Sequence, residues 1–326
     1  MKPFTDLTEI GQRRRLRTLA MHALEAYDLV PIRVCLLSQE TNTMFRVDAE
    51  DGERYVLRIY SPEDTILEDN QVEIYWLRCI LRDTDLKVTE PVPRRDGTFI
   101  NRISVQGVPG ERRCVLFRWV PGRALEEQLS LDAYTRFGAI MAQLHEHAAS
   151  LTIPTNLRPK RWDRVFYYPD EPVVYNRDAY QHLFPRDLRG TMDAVVERAN
   201  NFLQDLHQDE AQRMLIHGDM HHWNVHLYKD ELYVIDFEDA MLGYPLQDIA
   251  ITFYYGQDHA QFQAFCDAFE EGYSSLRPWP VEEQGQLETL WAARKAMFIN
   301  YVARIWPDPV DFIERGCRYL QDYLTR

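Results

Sequence analysis

The sequence predicts an α+β chain, with a strand-rich first third forming a small antiparallel sheet and a longer helical part interrupted by one hairpin. Three observations carry this. Thr43–Ala49 and Arg54–Tyr60 read as strands on either side of a Glu50-Asp51-Gly52-Glu53 turn, the pattern of a β-hairpin. Beyond Pro121-Gly122, apolar residues recur at helical spacing through most of the remaining chain. Within that helical part, Val225–Tyr228 and Leu232–Ile235 flank Lys229-Asp230-Glu231 and read as a second hairpin.

Taken in order, residues 9–28 are expected to be helical, with Leu16, Leu19, Ala20, Leu24 and Tyr27 at helical spacing. After the first hairpin, Asp69–Arg82 reads as a helix carrying Val72, Trp76, Leu77 and Ile80. Strands over Thr98–Val105 and Arg112–Val120 are joined through Gln106-Gly107-Val108-Pro109-Gly110, which is rich in turn formers. Leu131–His147 is strongly periodic, with Tyr134, Phe137, Gly138, Met141 and Leu144 in one stripe. Asp187–Leu206 and the segments 261–274, 281–305 and 308–324 are also expected as helices. The change of character places a division at residues 1–120 and 121–326.

The bulk numbers agree with two units, since 326 residues suit two domains of ~100–200 residues each. No apolar run approaches the ~18 residues of a membrane span. Met1–Thr18 has no apolar stretch followed by small residues, so the expected location is cytoplasmic. The five cysteines are scattered, with no closely spaced pair, and read as free core thiols. A net charge of −14 repels nucleic acid and anionic lipid, so neither is an expected partner. The basic run Arg13-Arg14-Arg15-Leu16-Arg17 reads as the solvated face of the first helix. Nothing in the sequence bears on oligomeric state.

The chemistry gathers at the second hairpin. Adjacent strands lie ~4.8 Å apart, so Asn224, before the first strand, and Asp236, after the second, are expected as neighbours. An amide oxygen beside a carboxylate is a hard oxygen site suited to Mg²⁺. Asp219 sits on the loop entering the hairpin and can face the same space without binding the metal. This is what phosphoryl transfer needs: a carboxylate that orients the attacking hydroxyl, and an Asn and an Asp for the metal that bridges the phosphates. Other uses exist, since Asp219 and Asn224 are also common turn residues. His217/His221 and His222/His226 have the i, i+4 spacing of a zinc pair, but Gly218 and the β-type run after Asn224 argue against a helix there.

His217-Gly218-Asp219, four residues, Asn224, then Asp236 and Asp248 resembles the signature of the aminoglycoside phosphotransferase and choline kinase-like family, including its homoserine kinase-like and stress-response kinase-like branches. The resemblance is sharpest over residues 216–250. It implies a bilobal protein kinase-like fold, with an N-terminal nucleotide-binding sheet lobe over 1–120 and a larger helical catalytic lobe over 121–326. It also implies ATP and Mg²⁺ as cofactors, Asp219 as catalytic base, and Asn224 and Asp236 as metal ligands. Asp248 becomes either a brace for the catalytic loop or the N-cap of the next helix. Tyr55-Val56-Leu57-Arg58-Ile59-Tyr60 resembles the strand that carries the phosphate-binding lysine in kinases. Alternation puts Val56, toward adenine, and Arg58, toward the phosphates, on one face, and Glu73 is the expected partner of Arg58. Arginine stands where lysine is commoner, keeping the charge and changing the geometry. Ser38–Thr43 lies where a phosphate-covering loop belongs, without its glycines, and Leu116–Val120, with Trp119, is the expected adenine joint.

Only eleven residues separate Asp236 from Asp248, which leaves the acceptor site to the helical part. The expected acceptor is a small hydroxyl compound bearing an amine. Its candidate walls are Arg161-Trp162-Asp163, Glu238-Asp239, Glu270, Glu271 and Trp291, because acids and aromatic faces suit a cation. The alternatives are a protein serine/threonine kinase of the stress-response type and a kinase-shaped binding module with weakened catalysis.

Overall fold

The computed structural model of the chain describes residues 2–62, 65–168 and 171–326. Its helices are α1 (Glu9–Leu24), α2 (Leu67–Asp83), α3 (Leu131–Ser150), α4 (Arg186–Leu206), α5 (Pro245–Tyr254), α6 (Phe262–Ser274), α7 (Gln284–Ile305) and α8 (Val310–Thr325). Its first strands are β1 (Pro31–Gln39), β2 (Thr43–Ala49), β3 (Arg54–Ile59), β4 (Asn101–Ile103), β5 (Arg112–Arg118) and β6 (Arg123–Ala124). Five more are β7 (Lys160–Arg161), β8 (Met214–Ile216), β9 (Val225–Tyr228), β10 (Glu231–Val234) and β11 (Met241–Gly243). Contacts group these elements into two compact units. The first runs to Gln128 and adds Ile153–Arg158 and Trp223–Asp239; the second holds Leu129–Thr152, Pro159–His222 and Ala240–Arg326.

The first unit is built on a five-stranded antiparallel sheet in the order β1-β2-β3-β5-β4. Thr43, Phe45, Val47 and Ala49 are the buried residues of β2, the period-2 signature of one covered face. The cover is α1, whose Leu16, Leu19, Ala20, Ala23 and Leu24 share a core with Phe45, Val47, Tyr55, Leu57 and Ile59. Because Tyr55, Leu57 and Ile59 point into that core, Val56 and Arg58 fall on the opposite face. The basic run on α1 is partly tied down: Arg15 donates to the carbonyls of Gly107 and Lys2, and Arg17 to that of Val34. Strand β4 is shorter than its apolar pattern suggested. Asp96 accepts from both the N–H and the hydroxyl of Thr98, and this holds Thr98 in a turn.

The second hairpin belongs to this unit through β6, which pairs with β9. Lys229 and Asp230 both adopt left-handed backbone, with φ of 48° and 64°, as a two-residue hairpin turn requires. Glu231 therefore already pairs with Tyr228, and β10 starts and ends one residue earlier than the expected Leu232–Ile235. Val234 anchors the hairpin to the chain after α2, donating to the Lys87 carbonyl at 2.8 Å and accepting from Thr89 N–H at 3.0 Å.

The second unit is mostly helical. Helix α3 crosses α6 closely, because Gly138 and Gly272 let the two backbones approach. A Cβ at Gly272 would run into the Thr135 carbonyl, and one at Gly138 into that of Phe269. A small sheet in the order β7-β11-β8 carries the chain toward α5. Pro245 occupies the first turn of α5 after the extended Tyr244, a favourable place for its fixed φ. Among the described residues no helix is long and apolar enough to cross a membrane.

Candidate active site

In the first unit, Arg58 is the hub. It is almost fully buried, and its guanidinium edge is shared by three carboxylates. Nη1 donates to Glu73 Oε1 at 3.0 Å and lies 3.4 Å from Glu238 Oε2, while Nη2 donates to Asp236 Oδ1 at 3.0 Å. Glu73 comes from α2 and is completely buried; its other oxygen accepts from the Tyr60 hydroxyl at 2.6 Å. Burial works against the guanidinium charge, and Asp236 and Glu73 more than offset it, so Arg58 is held firmly ionised. Three acids around one cation leave an excess of negative charge. Burial, opposed by Arg58 and reinforced by Asp236 and Glu73, pushes Glu238 up to about 8. Asn42, in the turn between β1 and β2, donates to Glu238 and accepts from Ser61 N–H at 3.1 Å. The expected phosphate-covering loop is thus tethered to the same cluster.

The hairpin brings Asn224 and Asp236 to one end. Ile235 N–H donates to the Asn224 carbonyl at 2.9 Å, one rung beyond the Val225–Val234 pair. Asn224 therefore faces Ile235, and Asp236 follows as its next neighbour. Asp236 has a left-handed φ of 65°, a conformation that costs a non-glycine residue ~1–3 kcal/mol and turns its carboxylate out of the strand. Its side chain remains 42% exposed although it meets Arg58. This donor set fits a hard cation: an amide and a carboxylate, with no sulfur. Among the described residues no group of three or more His, Cys, Asp or Glu side chains could hold a metal ion, so a cation here would complete its shell with water or substrate oxygens. The histidine spacings do not make a zinc pair on a helix, because residues 217–224 are loop.

Val56 is half-buried on the Arg58 face of β3. Trp119 follows β5 and is half-buried; its N–H is committed to the Arg54 carbonyl at 3.0 Å. Its backbone donor is therefore spent inside the sheet, and any contact it makes with a base comes from its ring or its carbonyl.

In the second unit, the loop carrying Asp219 is pinned by α5. Asp248 lies inside that helix, so it is a brace and no N-cap. Its Oδ2 and Oδ1 accept from the N–H groups of His217 and Gly218, each at 2.8 Å, and His145 Nε2 lies 3.1 Å from Oδ2. One turn on, the Thr252 hydroxyl donates to the Met220 carbonyl at 2.5 Å. Gly218 has a φ of 78°, which only glycine adopts without strain. The loop is thus fixed through its backbone on both sides of Asp219.

Asp219 itself meets a residue that the sequence reading missed. Arg294, buried on α7, donates from Nη2 to Asp219 Oδ1 and to the Tyr255 hydroxyl, the latter at 2.9 Å. Its guanidinium lies 5.2 Å from the ring centres of both Tyr255 and Phe298. His221 Nε2 lies 3.2 Å from the other oxygen, Oδ2. Burial alone would raise the Asp219 carboxyl, but Arg294 and His221 outweigh it and hold the group well below the usual carboxylate range. The signal was present: Arg294 stands among Trp291, Ala292, Ala293, Ala296 and Met297 on a helix face too apolar for a solvated charge.

Trp291 is buried and donates its indole N–H to the Ala250 carbonyl at 2.8 Å. Trp162 is buried and packs against Tyr167. Glu270 and Glu271 are exposed on α6, and Glu238 belongs to the Arg58 cluster of the other unit.

Comparison with known proteins adds a frame for this chemistry. A model of the phosphotransferase enzyme family matches residues 35–279. The chain is 23% identical over 279 residues to Stress response kinase A of Escherichia coli K12, spanning 84% of this chain and 78% of that protein. A solved structure of a microcompartment-associated aminopropanol kinase is similar with a TM-score of 0.78 and 22% identity, over 95% of this chain and 98% of that one. Amicoumacin kinase in complex with AMP-PNP and Ca²⁺ is similar with a TM-score of 0.78 and 19% identity, over 97% and 95%. The fold is thus that of the kinase-like phosphotransferases, an antiparallel sheet joined to a helical part.

Proposed function

Since the chain belongs to the phosphotransferase enzyme family, we propose that it is an ATP- and Mg²⁺-dependent kinase that moves the γ-phosphoryl group to a hydroxyl of a small, amine-bearing molecule. The observation that carries the nucleotide half is the buried Arg58, set between Glu73 of α2 and Asp236 after the hairpin. A buried guanidinium held between fixed carboxylates keeps a permanent positive charge in place for phosphate oxygens. Val56 and Trp119 line the adenine side. Asn224 and Asp236 would hold Mg²⁺, which when bound would offset the charge of the nucleotide phosphates. Asp219 accepts a hydrogen bond from the acceptor hydroxyl, aims its oxygen at the phosphorus, and takes its proton late in the transfer.

The similar structure named for aminopropanol argues for a small amino alcohol. A relative in Salmonella typhimurium named Serine/threonine protein kinase RdoA favours a second reading, a protein serine/threonine kinase. One experiment separates them. Purified protein with ATP and Mg²⁺ is offered a panel of alcohols (aminopropanol, choline, homoserine, aminoglycosides, sugars), and in parallel a protein substrate with radioactive ATP. Stimulation of ADP release by an amino alcohol supports the first reading. Protein labelling in trans, with no alcohol stimulating turnover, overturns it in favour of the second.

A further inference from the structure

We propose that Arg294 is the positioning residue for Asp219, fixing the plane of that carboxylate through Oδ1 so that it is aimed to orient the acceptor hydroxyl. The inference rests on the phosphotransfer reading and extends it to a residue 75 positions along the chain from Asp219.

A buried guanidinium is expensive to place, because its desolvation must be offset by good pairing. Here the side chain is 6% exposed, and the ion pair it forms among the described residues is with Asp219. The rings of Tyr255 and Phe298 and the hydroxyl of Tyr255 set the plane of the guanidinium before any ligand arrives. Among the described residues, His221 on Oδ2, His217 and Tyr255 also act on Asp219. Of these and Arg294, Arg294 carries a permanent positive charge.

The pairing has a chemical consequence. With Arg294 on Oδ1, the carboxylate stays ionised and its two oxygens are no longer equivalent. Oδ1 is fixed on Arg294, and Oδ2 lies 3.2 Å from His221 Nε2. Phosphoryl transfer through a loose transition state asks more for aim than for basicity, and a carboxylate held this way supplies aim. The hydroxyl proton passes to the Asp219 carboxylate only as the new O–P bond forms and the bond to the ADP oxygen breaks.

The test is a double-mutant cycle of Arg294→Met and Asp219→Asn, with steady-state kinetics on ATP and whichever acceptor the panel returns. Misplacing a reacting group by about 1 Å costs ~10²-fold. Arg294→Met is therefore expected to lower kcat about 10²-fold while KM for ATP stays within about 3-fold. Arg294→Lys, which restores the charge without the fork, should recover about 10-fold of the loss. The acid limb of the kcat profile should move to higher pH in Arg294→Met, since the carboxyl loses the cation that holds it ionised. In the Asp219→Asn background, Arg294→Met should cost nothing further, because it acts through Asp219. An equal fractional loss in both backgrounds, or an unchanged kcat, overturns the inference. If Arg294→Met does not fold, Arg294→Lys carries the same cycle with the same criterion. A wild-type protein that releases no ADP with any acceptor removes the phosphotransfer reading, and this inference with it.

Discussion

Arg58 and Arg294 have the same chemistry, and the sequence reveals them unequally. Arg58 stands in an alternating strand, so its face follows from its neighbours Leu57 and Ile59, and Glu73 lies on a helix only 15 residues away. Arg294 sits on a long helix whose partner is remote, and a helix pattern says which face is buried without saying what meets it. Asp236 falls between these cases: its place after the hairpin was legible, its left-handed backbone was not. For Arg58 the account predicts that Arg58→Ala weakens ATP binding about 10- to 100-fold, the worth of a charge-assisted hydrogen bond or two. It should also lower stability by ~3–5 kcal/mol, since Glu73 would be left buried with its charge uncompensated. Arg58→Lys should recover part of both. Calorimetric titration with nucleotide and thermal melts check this, and wild-type ATP affinity in Arg58→Ala would show that the strand is misaligned with the phosphates.

Elements were legible where a period runs long enough to be seen. Helices α3, α4 and α8 and the β9–β10 hairpin are such cases. The small sheet of β7, β8 and β11 was not, because its strands span two or three residues, too few for alternation to register. The start of α5 was also missed, although Pro245 after Gly243-Tyr244 was the signal, and this left open whether Asp248 caps or braces. Gly138 was read as part of a stripe, yet its packing role needs Phe269 of α6 opposite it. That crossing yields a paired prediction. Gly272→Ala drives a methyl into the Thr135 carbonyl and should destabilise the protein by ~1–3 kcal/mol. Gly190→Ala on α4 meets nothing within 4 Å and should stabilise it by ~0.5–1 kcal/mol. Thermal melts of the two variants check this, and melting points that move the same way would contradict the packing assigned to α3 and α6.

For the molecule as a whole, the strand-rich first part and helical second part were visible in the sequence because a change of period needs no knowledge of partners. The motif around Asp219 was visible because its spacing is rigid. The acceptor was not: among the acids expected to receive a cation, Glu270 and Glu271 are exposed on α6 and Glu238 is paired with Arg58. The most direct test is ADP release by Asp219→Asn beside wild type, with ATP binding measured on the same preparations. The account predicts that turnover falls ~10²–10⁴-fold, the usual share of a positioned proton acceptor, while nucleotide affinity holds because Arg58, Asn224 and Asp236 are untouched. Turnover in Asp219→Asn equal to wild type would contradict it.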